Sequence, residues 1–299
     1  MERTVSLVLS SGGARGVAHI GVIEELERQG FKITSIAGSS MGALVGGVYA
    51  SGNLQVFRDW MCNIDKIAAF NLIDFALSAN GLVKGNKIIT ELKKIIPDLN
   101  IESLPINLTA VATDIKNKKE VLFETGSLYE AIRASISIPT VFKPCMVEGK
   151  ILIDGGVLNP IPINRIKRNN NDLLIAVDVN SPIIFDNNIS VNKLSKKELE
   201  LNYFTFLMNK GFQFLPKITG TQLNYYTLLS QTASLMIQQI SALTIEMHKP
   251  DILIKIPMNS YGPFHFYKSE EIIKAGELAT RKALDEFNVE NKVLNNLIC

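Results

Sequence analysis

The 299-residue sequence has few cysteines, few histidines and almost no excess of charge of either sign. Its three cysteines, Cys62, Cys145 and Cys299, are widely spaced and odd in number. They argue against a disulfide framework or a zinc site and predict free thiols in a reducing compartment. Lysine and arginine total 31 against 29 aspartate and glutamate, so nothing in the composition indicates nucleic acid as a partner. Hydrophobic residues make up 46%, as in an ordinary globular protein.

The sequence also lacks an evident targeting or membrane-spanning segment. The apolar run Val5–Leu9 is too short for the core of a signal peptide, and it leads into glycines rather than a cleavage site. The segment Gly220–Ile245 has no charged residue and could cross a bilayer, but it contains several Gln, Ser and Thr residues. We therefore expect a cytoplasmic protein with no signal peptide and no transmembrane helix. Helical spacing within this segment predicts one packed stripe, formed by Leu229, Ala233, Met236, Ile240, Leu243 and Met247.

Strand-like and helix-like segments alternate in the first part of the chain. A strand at Val5–Ser10 is followed by a helix at Val17–Gln29, and a second strand at Ile33–Ala37 by a helix at Ala43–Ala50. This alternation predicts an α/β fold with three α/β/α layers and a mostly parallel central sheet. Further strands are expected at Leu108–Ala112, Val121–Glu124, Lys150–Ile153, Leu173–Val177 and Ile252–Ile256, and further helices at Gly85–Ile96, Ser127–Ser135, Leu223–Met247 and Ser269–Glu286.

The region around 181–220 shows the weakest pattern. It contains a proline, an asparagine pair, a charged patch and then an aromatic-rich run from Tyr203 to Leu215. We interpret it as an insertion within a single domain of residues 1–299, not as a boundary between two domains. Its aromatic side chains are expected to fill core around the insertion or, alternatively, to form a lid or a patch that faces lipid.

The turn Gly38–Gly42 has the pattern G-x-S-x-G between an apolar strand and a helix. In a nucleophile elbow such a turn exposes the central serine, here Ser40, while the glycines at both ends let strand and helix approach closely. The N-terminal end of the following helix would favour negative charge that develops beside Ser40. The pattern alone is equally compatible with a serine that caps the helix in an ordinary turn.

A second turn of small residues, Ser11–Gly16, lies between the first strand and the first helix. Its backbone N–H groups could hold the phosphates of a dinucleotide, but that interpretation needs an acidic residue at the end of the second strand. The sequence has Gly38-Ser39-Ser40 there instead. Alternatively, the N–H groups stabilise the oxyanion of an acyl-transfer reaction. Because the carboxyl ends of parallel strands share one edge of the sheet, this turn is expected to lie beside Ser40.

A serine nucleophile requires a base, and the chain has only three histidines. His19 lies on the first helix, just beyond the glycine-rich turn, and is expected to be a packing residue. His248 and His265 stand in no recognisable motif, although either could complete a Ser-His-Asp triad in an ordinary α/β-hydrolase. The elbow of such enzymes normally follows several strands, whereas Ser40 follows only the second.

A carboxylate is the stronger candidate for the base. Asp154 ends an apolar strand and is followed by Gly155 and Gly156, so we expect it to be exposed at the same edge of the sheet as the nucleophile. Partial burial would raise its pKa and make it a better base. Asp154 could instead cap a turn before the two glycines. Asp114 and Asp178 are rivals near other strand ends, but they lack the paired glycines.

In chain order, the glycine-rich turn, the G-x-S-x-G turn and the Asp-Gly-Gly run resemble the motifs of the patatin-like phospholipase family, especially its bacterial members. The resemblance covers about residues 5–180 and 223–286. The first family motif is G-G-G-x-R/K-G, so Ser11 stands here in place of a glycine. This departure matters little if the donors are main-chain N–H groups, because serine has one too. Further segments that look like the family are Val17–Ile23, Gly81–Gly85, Ala134–Pro139 and His248–Ile256.

The resemblance implies a Ser-Asp dyad without a catalytic histidine, in which Ser40 is the nucleophile and Asp154 is the base. It also implies that the N–H groups of Gly12, Gly13 and Ala14 form the oxyanion hole, and that no metal or cofactor is required. The residues expected to support these motifs are Arg15, Gly16, Gly38, Gly42, Gly155 and Gly156.

These features together predict a serine hydrolase that cleaves fatty-acyl esters of lipids, of the phospholipase A or lysophospholipase type. The expected partners are a lipid substrate and a membrane surface, which the protein would contact peripherally. Two alternatives stay open. One is an α/β-hydrolase with a histidine triad, and the other is a catalytically silent family member that binds lipid or a protein.

Overall fold

Eight strands form one mixed sheet among the residues that the computed structural model describes, which are 3–72, 86–139, 141–169, 171–182 and 225–298. The strands are β1 (Arg3–Leu9), β2 (Phe31–Ser39), β3 (Asn107–Asp114), β4 (Lys119–Phe123), β5 (Cys145–Val147), β6 (Lys150–Asp154), β7 (Leu173–Ser181) and β8 (Ile252–Pro257). Their order across the sheet is β5-β6-β3-β2-β1-β7-β8, and β4 pairs with β3 outside this path.

The centre of the sheet is parallel. Strands β3, β2, β1, β7 and β8 run in one direction, whereas β4 and β6 pair antiparallel with β3, and β5 pairs antiparallel with β6. On the middle strand β1, Leu7 and Leu9 pack into one core cluster while Val8 packs into another on the opposite face. Burial on both faces is typical of a parallel sheet that is covered by helices.

Helices cover the two faces unequally. They are α1 (Ala18–Arg28), α2 (Met41–Ala50), α3 (Leu54–Cys62), α4 (Lys66–Leu72), α5 (Asn86–Ile95), α6 (Leu128–Ser135), α7 (Tyr225–His248) and α8 (Ser269–Ile298). The larger core cluster contains side chains of α1, α2 and α8, whereas the smaller cluster behind Val8 is covered by α7 and the segment 160–166. The predicted three-layer α/β/α fold with a mostly parallel central sheet is therefore confirmed.

Helix α7 exposes the stripe that its spacing predicted to be packed. Leu229, Met236 and Leu243 are 46%, 61% and 61% exposed, whereas the buried side chain is Ser241 and the neighbouring Ile245 packs against the smaller cluster. The prediction of this stripe was wrong because polar and apolar residues alternate irregularly around the helix, so hydrophobic spacing alone does not select the buried face. Among the described helices, none combines the length and the hydropathy that a membrane-spanning segment requires.

Some elements carry no clear sequence signal. Helices α3 and α4 and the three-residue strand β5 were not predicted, and β5 is too short to show a period of two residues. The predicted insertion at about 181–220 lies outside the described residues apart from its first two positions, and the single domain stays a prediction. Of the cysteines, Cys62 and Cys145 are free thiols, and Cys299 lies outside the described residues.

Candidate active site

A sharp turn joins β2 to α2 and holds Ser40. The backbone angles of Ser40 are φ 55° and ψ −121°, a conformation that side-chain-bearing residues rarely adopt. Glycines make the turn possible, because a Cβ on Gly38 would lie 2.5 Å from the carbonyl of Gly42, and a Cβ on Gly42 would lie 2.1 Å from the carbonyl oxygen of Leu9. The predicted strand–turn–helix geometry of an elbow is therefore present at Ser40.

Asp154 meets Ser40 at this edge of the sheet. It ends β6, which is separated from β2 by β3, and the Ser40 hydroxyl donates a hydrogen bond to Asp154 Oδ2. The other oxygen, Oδ1, accepts a hydrogen bond from the Gly156 N–H at 2.7 Å. The turn after Asp154 approaches β3 so closely that a Cβ on Gly155 would lie 2.1 Å from the carbonyl oxygen of Val111. The structure thus brings together the two residues predicted as nucleophile and base.

The environment of Asp154 favours the neutral carboxyl group. Its side chain is buried, and this burial raises its pKa to about 6, although the hydrogen bonds from Ser40 and Gly156 oppose the shift. The positive end of the α2 dipole starts at the neighbouring Ser40, where it favours negative charge. A carboxylate with a pKa near neutrality, hydrogen-bonded to a hydroxyl on a strained turn, is an arrangement that can activate the hydroxyl as a nucleophile.

The glycine-rich turn lies beside the elbow, and two of its N–H groups are already engaged. The Ser11 N–H donates to the Pro160 carbonyl at 2.7 Å, and the Ala14 N–H donates to the Pro263 carbonyl at 2.8 Å. Among the described residues, no acceptor is recorded for the N–H groups of Gly12 and Gly13. The Ala14 N–H, which was predicted to be a donor of the oxyanion hole, is therefore hydrogen-bonded to another segment. The N–H groups of Gly12 and Gly13 remain as candidate donors.

Arg15 links this turn to other segments of the chain through hydrogen bonds. Its buried guanidinium donates to the Val179 carbonyl at 3.1 Å, to Asn180 Oδ1 at 3.0 Å and to the Tyr261 carbonyl at 3.2 Å. Burial lowers the pKa of Arg15 to about 10, and the neighbouring carboxylate of Asp178 opposes that shift. Arg15 therefore connects the glycine-rich turn to the end of β7 and to the segment before α8.

The two rival carboxylates make other contacts. Asp114 accepts hydrogen bonds from the N–H groups of Lys116 and Asn117 and from the Asn117 side chain, and these bonds lower its pKa. Asp178 accepts a hydrogen bond from the Asn180 N–H at 2.9 Å and lies near Arg15. Both side chains therefore stabilise local structure, and neither is hydrogen-bonded to the elbow serine.

No histidine of the described residues is hydrogen-bonded to Ser40 or to Asp154. His19 is fully buried, its Nε2 lies 2.9 Å from the carbonyl oxygen of Ser10, and burial lowers its pKa to about 4. His265 Nδ1 accepts a hydrogen bond from the Gly262 N–H at 3.2 Å. His248 ends α7, which runs back toward the start of β8, opposite the edge where Ser40 lies.

Ser135, the last residue of α6, contacts the elbow and was not singled out as a site residue. Its Oγ accepts a hydrogen bond from the Ser40 N–H at 2.8 Å and donates one to the Val111 carbonyl at 2.6 Å. The segment Ala134–Pro139 resembles the family, but a single sequence does not reveal that this hydroxyl meets a backbone group 95 positions away.

A pocket of about 670 Å³, counting the space open to solvent, begins at Ser40 and Gly13. Apart from these two residues, the described residues that line it are apolar, and none of them is charged. The walls come from α2, α3, the segment after α6 and the segment before α8, and include Leu44, Phe57, Met61, Ile136, Phe142 and Phe264. An apolar space beside a serine hydroxyl can hold the hydrocarbon part of an ester.

Comparison with known proteins finds relatives of this chain. The sequence profile described as patatin-like phospholipase matches residues 7–165. An uncharacterized NTE family protein of Mycobacterium tuberculosis is 31% identical over 334 residues, covering 96% of this chain and 93% of the relative. The lysophospholipase NTE1 of Meyerozyma guilliermondii is 29% identical over 92% of this chain, which corresponds to 19% of that protein. The crystal structure of VipD from Legionella pneumophila aligns with 96% of this chain and 67% of its own, with a TM-score of 0.47 and 16% identity.

The profile match covers more than half of the chain, and the mycobacterial relative aligns along almost its whole length. Members of this family are lipid hydrolases, and the matched segment includes the elbow, the glycine-rich turn and Asp154. The chain therefore belongs to the patatin-like phospholipase family.

Proposed function

We propose that this protein hydrolyses fatty-acyl esters of lipids with Ser40 as nucleophile and Asp154 as general base. The observation that carries the proposal is the direct hydrogen bond from the Ser40 hydroxyl to Asp154 Oδ2. A base must lie within hydrogen-bond reach of the proton that it removes, and Asp154 meets this requirement without an intervening histidine. Its pKa of about 6 leaves it ionised at neutral pH and still basic enough to accept the proton.

Acylation follows from this geometry. As the Ser40 Oγ bonds to the carbonyl carbon of the ester, its proton passes to Asp154 Oδ2. The carbonyl oxygen becomes an oxyanion, which accepts hydrogen bonds from the N–H groups of Gly12 and Gly13. The tetrahedral intermediate then expels the alcohol portion of the lipid, which takes the proton from Asp154 and leaves an acyl group on Ser40. Such donors are worth about 3 kcal/mol each in related oxyanion holes.

Deacylation repeats the same steps with water. Asp154 removes a proton from the water, whose oxygen bonds to the acyl carbonyl carbon, and Gly12 and Gly13 hold the second oxyanion. The intermediate expels Ser40, which regains its proton from Asp154, and the fatty acid is released. The pocket supports a hydrocarbon chain as the acyl group, because Ser40 is the one lining residue with a hydroxyl group among those described, and the others offer no charged partner to a polar substituent.

The test is hydrolysis of a lipid panel that varies the head group, the number of acyl chains and the chain length. We expect activity in the wild type and a loss of at least about a thousandfold in Ser40→Ala and in Asp154→Asn, as for other residues of a catalytic unit. Asp114→Asn is the matched control, because it makes the same change in another buried carboxylate at the end of a strand. A fluorophosphonate probe should attach to Ser40 in the wild type.

Two results would contradict the proposal. No ester hydrolysis above background in the wild type, Ser40→Ala or Asp154→Asn would support the alternative of a silent family member that binds lipid or a protein. Loss of activity in a variant with both His248→Gln and His265→Gln would support a histidine triad. We expect the double variant to retain its activity, because neither imidazole is hydrogen-bonded to Ser40 or to Asp154.

A further inference from the structure

The backbone N–H of Ser40, on the strained turn, needs a hydrogen-bond acceptor from another part of the chain. Ser40 precedes the first turn of α2, so its N–H has no partner within that helix. The residue is only 4% exposed, and a buried N–H without a partner costs about 1–3 kcal/mol. The Ser135 hydroxyl supplies the partner at 2.8 Å.

The Ser135 hydroxyl has little freedom to turn. It donates its single hydrogen to the Val111 carbonyl at 2.6 Å and accepts the Ser40 N–H with a lone pair. The side chain is fully buried, so water does not replace either partner. Rotation of the hydroxyl would therefore leave a buried polar group unpaired on the elbow or on β3.

These bonds join the elbow to the strand that lies between nucleophile and base. Val111 pairs with Ser39 of β2, and the next residue of β3, Ala112, pairs with Asp154 of β6. The segment after Ser135 also holds the base, because the Ser137 carbonyl accepts the Asp154 N–H at 2.9 Å. Ser135, at the end of α6, and Ser137, two residues later, thus contact the backbone of both proposed catalytic residues.

We propose that Ser135 is a positioning residue, whose hydroxyl holds the Ser40 backbone in the conformation that directs Oγ toward Asp154. This inference depends on the proposed function, since it assigns a role within the same site. Ser135 itself does not line the pocket, whereas its neighbour Ile136 does. The hydroxyl therefore acts through the geometry of Ser40 and not through contact with substrate.

The test compares Ser135→Ala with Ser135→Thr in the full-length protein. In Ser135→Ala the Ser40 N–H loses its acceptor, and we expect kcat for a short activated ester to fall about ten- to hundredfold, the usual effect of displacing a reacting group by about 1 Å. KM should change by less than about twofold, because the pocket walls are untouched. Ser135→Thr keeps the hydroxyl and should recover most of the lost kcat.

Ser35→Ala is the matched control. Ser35 is also a fully buried serine, hydrogen-bonded to the Ser6 hydroxyl at 2.8 Å, and it lies on β2 about 15 Å before the elbow. We expect it to lower the thermal midpoint about as much as Ser135→Ala while leaving kcat unchanged. If Ser135→Ala does not fold, Ser135→Cys replaces it, because a thiol of similar size is a weaker donor and acceptor.

The rate at which a fluorophosphonate modifies Ser40 provides a second readout. It should fall in Ser135→Ala in parallel with kcat and recover in Ser135→Thr. The inference is overturned if the alanine variant loses stability as the Ser35 control does but keeps the kcat and the modification rate of the wild type. Failure of the proposed function looks different, since the wild type itself would then neither hydrolyse esters nor react with the probe.

Discussion

The Ser40 hydroxyl donates to one oxygen of Asp154, while the other oxygen accepts the Gly156 N–H at 2.7 Å. Both bonds stabilise the ionised carboxylate, yet burial outweighs them and raises the pKa of Asp154 to about 6. The carboxyl group therefore changes its protonation state close to neutrality, where an exposed aspartate would already be fully ionised.

The activity of the enzyme should follow this titration. Asp154 accepts a proton only when it is ionised, so kcat/KM is expected to be constant above about pH 7 and to fall about tenfold per pH unit below about pH 6. The measurement uses an uncharged ester, with circular dichroism at each pH to show that the protein stays folded. The rate of fluorophosphonate modification should give the same midpoint. A midpoint near 4 would mean that the base is not a buried carboxylate of this kind.

Replacing the base should make the protein more stable at neutral pH. The pKa of Asp154 is raised on folding, so the native state binds the proton more tightly than the unfolded state does, and stability from this group decreases as pH rises from about 4 to about 6. Asp154→Asn removes the buried charge and should stabilise the fold by about 1–3 kcal/mol at pH 8. At pH 4, where the native carboxyl is neutral, the gain should vanish.

Asp114→Asn is the control, for which we expect a change in stability of the opposite sign. Hydrogen bonds from Asn117 and Lys116 lower the pKa of Asp114, so its ionised form stabilises the native state above its unfolded pKa and loses that effect as the pH falls. This variant should have a lower thermal midpoint than the wild type at pH 8. If Asp154→Asn and Asp114→Asn shift the thermal midpoint at pH 8 in the same direction, burial does not raise the pKa of Asp154.

Local motifs allowed much of this site to be predicted. The turns Ser11–Gly16 and Gly38–Gly42 and the run that begins at Asp154 are each defined by adjacent residues, and parallel strands bring their carboxyl ends to one edge. The rule accounts for the two turns, which follow the parallel strands β1 and β2. It does not account for Asp154, because β6 runs antiparallel to β3, and Asp154 lies near Ser40 because β6 ends opposite Ala112, two residues before the end of β3.

Contacts between distant residues were not predictable in the same way. The hydrogen bonds from Ala14 to Pro263 and from Ser40 to Ser135 depend on how loops at the edge of the sheet pack together. No spacing in a single sequence encodes such a contact. The exposed stripe of α7 has a related cause, because tertiary packing buries Ser241 and leaves Met236 and Leu243 exposed, which the spacing of apolar residues does not predict.

Arg15 offers a test of how the glycine-rich turn is held. Its guanidinium reaches three acceptors, Val179 O, Tyr261 O and Asn180 Oδ1, which a single ammonium group in Arg15→Lys does not match. We expect kcat to fall about tenfold, because the Gly12 and Gly13 N–H groups would lose their fixed orientation. This loss is smaller than the loss of about a hundredfold or more that follows complete removal of an oxyanion donor. Steady-state kinetics with one long-chain ester measures the change.

Arg168→Lys is the matched control for this substitution. Arg168 also forms charge-assisted hydrogen bonds, with Asp172, but Asp172 immediately precedes β7 and so lies at the opposite edge of the sheet from Ser40. This variant should lose stability without a change in kcat. Equal kcat values for the two lysine variants and the wild type would show that Arg15 stabilises only the fold.

The depth of the pocket should determine which acyl chains are hydrolysed. Leu44 is 3% exposed and lines the pocket on α2, one turn of helix beyond Ser40. In Leu44→Trp the added bulk occupies space that we assign to the acyl chain, so kcat/KM should fall about tenfold or more for long-chain esters and by less than about threefold for butyrate, in line with the energies of hydrophobic contacts. Leu278→Trp makes the same change at a position on α8 that is 47% exposed, and it should leave the chain-length profile unaltered. A Leu44→Trp enzyme with the wild-type preference for long chains would place the acyl group elsewhere than in this pocket.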